Sequence, residues 1–174
     1  MPLGENHMAM SEPTPDIRLD LGGGHAPAPG HINIDIVPEA DIIWDLNKGL
    51  PVARVSELMS RDPKYIKVDS VKGVRCHHVI EHLDTIIPLM NDCYEVMKEG
   101  ALFELSTPMA GSIQFWQDPT HKKGYVPESF LYFCEGSPFG KEQKEYGITA
   151  RFKILKNRMG KRGDNWQLIV NLKK

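Results

Sequence analysis

The sequence predicts a single-domain α/β protein, and three observations support this fold class. Short runs rich in β-branched residues alternate with stretches of helical spacing, as mixed α/β folds require. The chain has 174 residues with 41% hydrophobic content, which is enough for one well-buried core and too few for two ordinary domains. No internal repeat or low-complexity tract is present. We therefore expect residues 13–174 to form one domain, preceded by a flexible leader or expression remnant at residues 1–12.

The first half of the chain predicts four strands and one helix. Apolar, β-branched runs predict strands at residues 17–21, 32–36 and 42–44, and the run VKGVRCHHV predicts a buried strand at 71–79. The segment VARVSELMSR at residues 52–61 has helical spacing. This helix lies between strands, which fits the α/β alternation.

A second helix is expected at residues 85–98, followed by a fifth strand at 101–106. The segment TIIPLMNDCYEVMK places apolar side chains on one helix face, and Gly100 is expected to end the helix. The residues on that face are Ile86, Met90, Cys93, Tyr94 and Met97. Pro108 is expected to end the region of the fifth strand.

The last third of the chain predicts a long loop, a short helix and two strands. The loop carries Asp118 and His121. Because it follows the fifth strand, we expect it to emerge at the same carboxyl edge as the turn after the first strand. A short helix near residues 127–134 precedes strands at 150–158 and 165–172, which the turn KRGD joins into an antiparallel hairpin.

Charge argues against several classes of partner. The net charge is −2 and the pI is about 6.4, so the chain has no general excess of basic charge for nucleic acid or a membrane surface. We expect no membrane contact, and a nucleic-acid partner is disfavoured. The basic residues concentrate on the predicted hairpin, where charge commonly protects an edge strand from aggregation. These residues are Arg151, Lys153, Lys156, Arg158, Lys161 and Arg162.

Cysteine usage and the absence of targeting signals predict a cytoplasmic protein. Cys76, Cys93 and Cys134 lie far apart, form no C-x-x-C pair and are odd in number, which favours a reducing compartment. No apolar run approaches the roughly 18 residues that a membrane helix needs. The first residues lack the basic and apolar parts of a signal peptide.

A glycine-rich turn after the first strand is the first candidate binding site. The segment LDLGGG ends in Gly22, Gly23 and Gly24, which let the backbone approach a ligand closely, and Asp35 at the end of the next strand is placed to accept hydrogen bonds from a ribose. The dinucleotide fingerprint G-x-G-x-x-G fails because position 27 is proline, and the following prolines forbid the helix that would hold a pyrophosphate. The turn therefore fits a nucleoside without phosphates, and a plain tight turn in an α/β protein explains it equally well.

Three later segments extend this pattern to a known family. Asp45 and Leu46 follow the third strand, HHVIEHL occupies residues 77–83, and EVMKEGALFELSTP occupies 95–108. With LDLGGG, they resemble class I S-adenosylmethionine-dependent methyltransferases, especially the group related to the ubiquinone and menaquinone biosynthesis methyltransferases, over roughly residues 17–133. The resemblance implies a Rossmann-like seven-stranded methyltransferase sheet, mostly parallel, with a C-terminal antiparallel hairpin and helices on both faces.

The same resemblance implies S-adenosyl-L-methionine as the cofactor. Asp20 and the backbone at Gly22 and Gly24 are expected to meet its methionine part. The other residues expected to bind the cofactor are Gly23, Asp35 at the ribose, Ile36, Asp45 and Leu46 at the adenine, and His77 and His78 near the sulfonium. The cofactor is positively charged and carries no phosphate, so it requires carboxylates and close backbone, which the sequence supplies.

The methyl acceptor is less constrained by the sequence. Methyl transfer is an in-line displacement that positioning accelerates strongly, and a histidine is the natural helper when the acceptor must lose a proton. His78, Asp118 and His121 are the catalytic candidates, although a solvated loop or a helix cap explains Asp118 and His121 equally well. The acceptor is unidentified, with a small molecule slightly favoured. Monomer and homodimer both stay open.

Four other interpretations compete. His78, Glu81 and His82 match the H-x-x-E-H pattern of one metallopeptidase group, which also needs a larger fold and a distant acidic ligand. The small-RNA 2′-O-methyltransferases hold a divalent ion with a similar cluster and a later histidine, a position that His121 fits. The favoured interpretation has no metal, with Glu81 and His82 tying a helix start to nearby loops. A non-catalytic nucleoside-binding module and a nucleotide-dependent oxidoreductase complete the alternatives.

Overall fold

The computed structural model describes residues 16–53, 65–162 and 165–174. Nine strands occur in the described residues. They are β1 Ile17–Leu21, β2 Ile32–Asp35, β3 Ile42–Ile43, β4 Val52–Ala53, β5 Ile66–Lys67, β6 Val71–His77, β7 Met97–Pro108, β8 Lys153–Arg162 and β9 Asn165–Lys173. Seven of them form one sheet in the order β3-β2-β1-β6-β7-β9-β8, and β4 pairs with β5 in a separate two-stranded sheet.

The main sheet is parallel except for one strand. β1 pairs in parallel with β2 and β6, as do β2 with β3 and β6 with β7. β9 runs antiparallel to both β7 and β8. Six strands therefore share one direction and β9 is reversed, which confirms the predicted mostly parallel sheet with a C-terminal antiparallel hairpin. β1 pairs with β2 on one side and with β6 on the other, so the order of the strands along the sheet reverses at β1. A crevice opens at such a reversal, here at the carboxyl ends of β1 and β6.

The described helices are short. The α-helices are α1 Ile87–Val96, α2 Ile113–Gln117 and α3 Gly140–Glu145, and the 3-10 helices are Leu46–Lys48, Ile80–His82 and Pro127–Phe133. Pro88 lies in the first turn of α1, where a missing N–H leaves no hydrogen bond unmade. Among the described residues, no helix combines the length and apolar character needed to cross a membrane.

The predicted helix at residues 85–98 is shorter than expected. Val96 is its last residue, and Met97 is already extended because it pairs with Val71 at the start of β7. The expectation that Gly100 ends the helix was wrong: Gly100 lies inside β7 with a φ of +81°. Tertiary pairing of β7 with β6 overrides the local helical pattern here.

Several other boundaries differ from the sequence predictions. Val52 and Ala53 form β4, so the expected helix at 52–61 does not begin there, and its remaining residues lie outside the described part of the chain. The strand expected at 71–79 ends at His77, and the one expected at 150–158 is shifted to 153–162. The leader at 1–12 and the last two residues of the KRGD turn also lie outside the described residues.

The three helical segments between β7 and β8 were predicted incompletely. The helix expected near 127–134 is a 3-10 helix over Pro127–Phe133. The long loop after β7 contains α2, and α3 lies further along; neither was predicted. Each has six residues or fewer, so its apolar periodicity is too brief to stand out in the sequence.

One hydrophobic cluster runs along the sheet and under α1. The expected face of α1 is buried at Met90 and Cys93, and Phe103 and Phe152 are fully buried aromatic members of the cluster. All three cysteines are buried and free, and burial raises the pKa of the Cys134 thiol to about 11. No disulfide therefore cross-links the chain, and the burial of apolar side chains stabilises the fold.

β8 is the edge strand of the main sheet. Five of the basic residues expected on the hairpin belong to it: Lys153, Lys156, Arg158, Lys161 and Arg162. Charge on an exposed edge discourages pairing with a second chain. Their position on the edge strand is as expected, and their role in edge protection stays a prediction.

Two leucines of β7 provide a matched test of this core. Leu105 is 1% exposed, whereas Leu102 on the same strand is 44% exposed. We expect Leu105→Ala to lower the free energy of unfolding by about 2–5 kcal/mol through the cavity that it leaves. Leu102→Ala should change it by about 0.5 kcal/mol or less. Urea denaturation followed by circular dichroism measures both free energies of unfolding. Equal losses of stability would contradict the finding that Leu105 faces the core and Leu102 faces solvent.

Candidate functional site

The glycine turn after β1 packs closely against the turn after β6. Gly22 has a φ of +68° and donates its N–H to the Ile34 carbonyl at 2.9 Å. A Cβ atom at this position would lie 2.2 Å from Val79 Cγ2. Both the left-handed backbone and the lack of space therefore require glycine. This contact brings two turns together at the carboxyl edge of the sheet.

Asp20 is held inside the protein by the residues around the turn. It is 1% exposed, and both of its oxygens lie 2.9 Å from Arg75 Nη1. Oδ2 also accepts the Ala28 N–H at 2.7 Å. A buried carboxylate needs such partners because an isolated charge in the interior is costly. The predicted contact of Asp20 with the methionine part of a cofactor stays a prediction.

Side chains at the end of β2 hold the other side of the glycine turn. Asn33 accepts the Gly23 N–H with its Oδ1 and donates from Nδ2 to the Gly24 carbonyl, both at 3.1 Å. Asp35 accepts the Gly24 N–H at 2.8 Å and the Ile36 N–H at 2.6 Å. These bonds fix the turn without the helix that usually follows such a strand. Its residues from Gly22 to Pro29 contain no helical turn in the structure.

A cavity of about 300 Å³ opens beside this turn, and we call it the glycine-turn cavity. Its lining residues are Gly22, Asp35, Ile36, Trp44, Asp45, Leu46, Asn47, His78, Val79, His82 and Leu83. Six of the predicted cofactor residues are therefore brought together here, and Asp20, Gly23, Gly24 and His77 do not line it. The lining has carboxylates and apolar groups but no lysine or arginine.

Asp45 and Leu46, the residues expected to contact the adenine, both line this cavity. Asp45 caps the 3-10 helix that follows it, and its Oδ1 accepts the backbone N–H and the Nδ2 of Asn47, each at 3.0 Å. These bonds, the backbone one first, hold the pKa of Asp45 below its ordinary value. Asp45 is thus an ionised acceptor at neutral pH, next to the apolar side chains of Trp44 and Leu46.

The two adjacent histidines have different surroundings. His77 is the last residue of β6, is half-buried and lines neither this cavity nor the next one described, and burial lowers its pKa below the ordinary value. His78 has a φ of +57°, which is rare for a residue with a side chain. Its N–H still bonds the Ser106 carbonyl at 2.9 Å. The chain therefore turns sharply at His78 and presents its ring at the sheet edge.

The ring of His78 is fixed from both sides. Gln167 Nε2 lies 3.1 Å from His78 Nε2, and since an amide nitrogen only donates, His78 Nε2 accepts. Its Nδ1 therefore carries the proton and lies 3.4 Å from Glu81 Oε1. The Glu81 carboxylate thus lies near the Nδ1–H without accepting a hydrogen bond from it, and the Nε2 lone pair is occupied by the Gln167 amide.

A second, larger cavity of about 500 Å³ shares lining residues with the first, and we call it the polar cavity. Its lining residues are His78, Glu81, His82, Pro108, Gln114, Gln117, Asp118, Pro119, His121, Asn165, Trp166 and Gln167. His78 and His82 line both cavities. The three predicted catalytic residues, His78, Asp118 and His121, are all present in this one lining.

The long loop after β7 reaches this place because it is tied to the turn after β6. The backbone N–H groups of Lys122 and Lys123 bond the Glu81 carbonyl at 2.7 and 3.1 Å, and Ala110 donates to the Tyr125 carbonyl at 3.0 Å. The loop thus lies at the carboxyl edge beside the glycine turn, as expected from its position in the sequence.

The side chain of His121 is buried, whereas Asp118 is exposed. The side chain of His121 is 7% exposed, with Nε2 at 4.0 Å from Glu81 Oε1 and 3.8 Å from Asp118 Oδ2. Asp118 is exposed, and its Oδ1 accepts the hydroxyl and the backbone N–H of Thr120 at 2.6 and 2.8 Å. These two bonds, the hydroxyl first, lower the pKa of Asp118 and make it a weaker proton acceptor.

Some lining residues carry no local sequence signal. Asn165, Trp166 and Gln167 enter the polar cavity only because β9 pairs with the end of β7, opposite Pro108. Arg75 faces Asp20 because β1 and β6 are neighbours. Contacts of this kind follow from strand order, which a local pattern does not reveal.

Comparison with protein-family models and with curated proteins finds no match. Among solved structures, a SAM dependent methyltransferase from Archaeoglobus fulgidus is 19% identical, with 92% of this chain and 87% of that chain covered and a TM-score of 0.56. An S-adenosylmethionine dependent methyltransferase from Mesorhizobium loti is 14% identical, with 91% and 90% covered and a TM-score of 0.51. A SAM-dependent methyltransferase from Methanosarcina mazei is 15% identical, with 93% of each chain covered and a TM-score of 0.51.

These likenesses confirm the predicted Rossmann-like fold of class I methyltransferases. Because the identities are below 20%, they concern the fold alone. They do not separate the ubiquinone and menaquinone group from other proteins with this fold.

The contact between Gly22 and Val79 can be tested by a double-mutant cycle. We expect Gly22→Ala to lower the free energy of unfolding by about 2–5 kcal/mol, from overpacking and left-handed strain together. Adding Val79→Ala should restore about 1–3 kcal/mol relative to additivity, because it removes the opposing methyl groups. Urea denaturation of the four proteins measures the coupling. Additive losses would show that the two turns do not meet as described.

Proposed function

We propose that the protein is an S-adenosylmethionine-dependent methyltransferase that acts on a small polar acceptor. The observation that carries this proposal is the meeting of two different cavities at His78 and His82. One has the groups expected for a nucleoside without phosphates, and the other is lined by hydrogen-bonding side chains. A cofactor in the first would direct its reactive end toward the second.

The charge of the glycine-turn cavity supports this cofactor. Asp35 and Asp45 supply carboxylates near the positions expected for the ribose and the adenine, and no lysine or arginine lines the cavity. A dinucleotide would need donors for its phosphates, usually with a helix N-terminus behind the turn. A sulfonium cofactor needs neither, which disfavours the oxidoreductase alternative.

The polar cavity supports a small acceptor with a hydroxyl or an amine. Its volume of about 500 Å³ lies within the range of small-molecule sites. Four side-chain amides line it, from Gln114, Gln117, Asn165 and Gln167. Amides both donate and accept, so they suit a neutral acceptor with several polar groups.

The proposed reaction is an in-line displacement at the methyl carbon. A lone pair of the acceptor oxygen or nitrogen forms the new bond to carbon, and the carbon–sulfur bond breaks with its electron pair retained by sulfur. The sulfonium becomes a neutral thioether, and the acceptor loses its proton. His78 Nε2 is the proposed base for that proton: the acceptor would displace the Gln167 amide from its lone pair, and the nearby Glu81 carboxylate would stabilise the protonated ring. Asp118 and His121 form the wall that holds the acceptor.

Asp35 offers a direct test of the cofactor assignment. We expect Asp35→Asn to weaken S-adenosylmethionine binding by about 5–150-fold, because a charge-assisted bond to the ribose is lost while an acceptor for the Gly24 N–H remains. Glu39→Gln, an exposed acid in the following loop that does not line the cavity, is the control and should bind as the wild type does. Isothermal titration calorimetry measures the affinities. Equal affinity in Asp35→Asn and the wild type would remove Asp35 from the ribose site.

Turnover separates an enzyme from a non-catalytic binding module. We expect label transfer from methyl-labelled S-adenosylmethionine to at least one member of a panel of small alcohols, sugars and amines. For an accepted substrate, His78→Gln should lower the turnover rate by about 10²–10⁴-fold. His25→Gln, a surface histidine that lines neither cavity, should not. Cofactor binding without transfer to any acceptor would instead favour the binding module.

A further inference from the structure

We propose that Glu81, His82 and His121 form a binding site for a divalent transition-metal ion. One ligand atom from each residue lies within 4.8 Å of the other two. All three residues line the polar cavity, so an ion held by them would face the space proposed for the acceptor.

Glu81 carries a buried oxygen that lacks a partner. The residue is fully buried, and its Oε2 accepts the Thr107 hydroxyl at 3.0 Å. Oε1 accepts no hydrogen bond. The ring nitrogens nearest to it are His78 Nδ1 at 3.4 Å and His121 Nε2 at 4.0 Å. Leaving a buried carboxylate oxygen unpaired costs free energy, and a bound cation removes that cost.

The tautomer of His121 leaves a lone pair directed at this oxygen. His121 Nδ1 lies 2.8 Å from the Phe115 carbonyl, and a carbonyl only accepts, so Nδ1 carries the proton. In the neutral ring, Nε2 is then an acceptor, and it faces Glu81 Oε1 at 4.0 Å. Two acceptors face each other without a donor between them, which is the condition that a metal ion satisfies.

His82 is held in the same way. The Thr120 hydroxyl donates its single proton to Asp118 Oδ1 at 2.6 Å. At 3.0 Å from His82 Nδ1 the same oxygen can only accept, so His82 Nδ1 carries the proton and Nε2 holds the free lone pair. Histidines that bind metal almost always donate their other N–H to an oxygen in this manner.

The donor set indicates the class of metal. Two imidazoles and one carboxylate suit Zn²⁺ and neighbouring first-row ions, with a coordination position left for water or a ligand. Mg²⁺ and Ca²⁺ prefer oxygen ligands alone. Ligands about 2.1 Å from a tetrahedral ion are about 3.4 Å apart, so the cluster must contract by roughly 1 Å on binding.

The ion would have a chemical use that rests on the proposed methyl transfer. A hydroxyl bound to a Zn²⁺-like ion loses its proton at a far lower pH than a free one. A metal in the polar cavity would therefore bind the acceptor hydroxyl, favour loss of its proton and so make it a better nucleophile. It would also hold the acceptor in place. Binding of the ion itself does not depend on the cofactor, so the two proposals can fail separately.

Calorimetric titration of Zn²⁺ into chelator-treated protein, without S-adenosylmethionine, tests the site. We expect one ion per chain with a Kd of about 1 μM or below. Glu81→Gln and His121→Gln should each weaken binding by about 100-fold or more, since even outer partners of metal ligands contribute 10–100-fold. His77→Gln, a half-buried histidine outside the cluster, should change the affinity by less than about threefold.

Two results would overturn the proposal. The first is the absence of stoichiometric binding of Zn²⁺, and of Co²⁺ as a second probe, up to about 100 μM. The second is an equal loss of Zn²⁺ affinity in His77→Gln and in the cluster variants, because the ion would then bind non-specifically to the protein surface. If Glu81→Gln does not fold, His82→Gln replaces it, because its side chain is not buried. S-adenosylmethionine binding by the same samples reports on the proposed function independently.

Discussion

The close contact between Gly22 and Val79 is the constraint on which the rest of the site depends. It joins the turn after β1 to the turn after β6, and a single added methyl group would separate them. Because β1 and β6 are neighbouring parallel strands, both turns leave the sheet at the same edge. The glycine-turn cavity lies between them, and His78, which directly precedes Val79, stands where that cavity meets the polar one.

Hydrogen bonds from side chains take the place of a helix after β1. Asp20, Asn33 and Asp35 together bond four backbone N–H groups from Gly23 to Ile36, and Arg75 balances the buried charge of Asp20. These bonds explain how a turn rich in glycine and proline keeps one shape. They also explain why the region suits a ligand without phosphates. The backbone N–H groups that could bind a phosphate already donate to side chains of the protein, and the cavity beside the turn is lined by acidic and apolar groups.

The sequence predicted the parts of this arrangement that have a local cause, and missed those caused by strand order. Alternating apolar runs located the seven strands of the main sheet, and the glycine turn and the loop with His121 were placed at the correct edge. The start of β7 at Met97 was missed because pairing with Val71 outweighs the helical pattern. Gln167 was missed because its contact with His78 spans 89 positions in the chain. The unpaired oxygen of Glu81 is likewise invisible in the sequence, since it arises from the surrounding fold.

We propose that the two cavities that share His78 serve the two substrates of a methyl transfer. A crystal structure with S-adenosylhomocysteine bound is the most direct test of this proposal. We expect the ribose at Asp35, the adenine beside Asp45 and Leu46, and the sulfur between the two cavities near His78. A ligand bound elsewhere, or a sulfur atom directed away from the polar cavity, would contradict it.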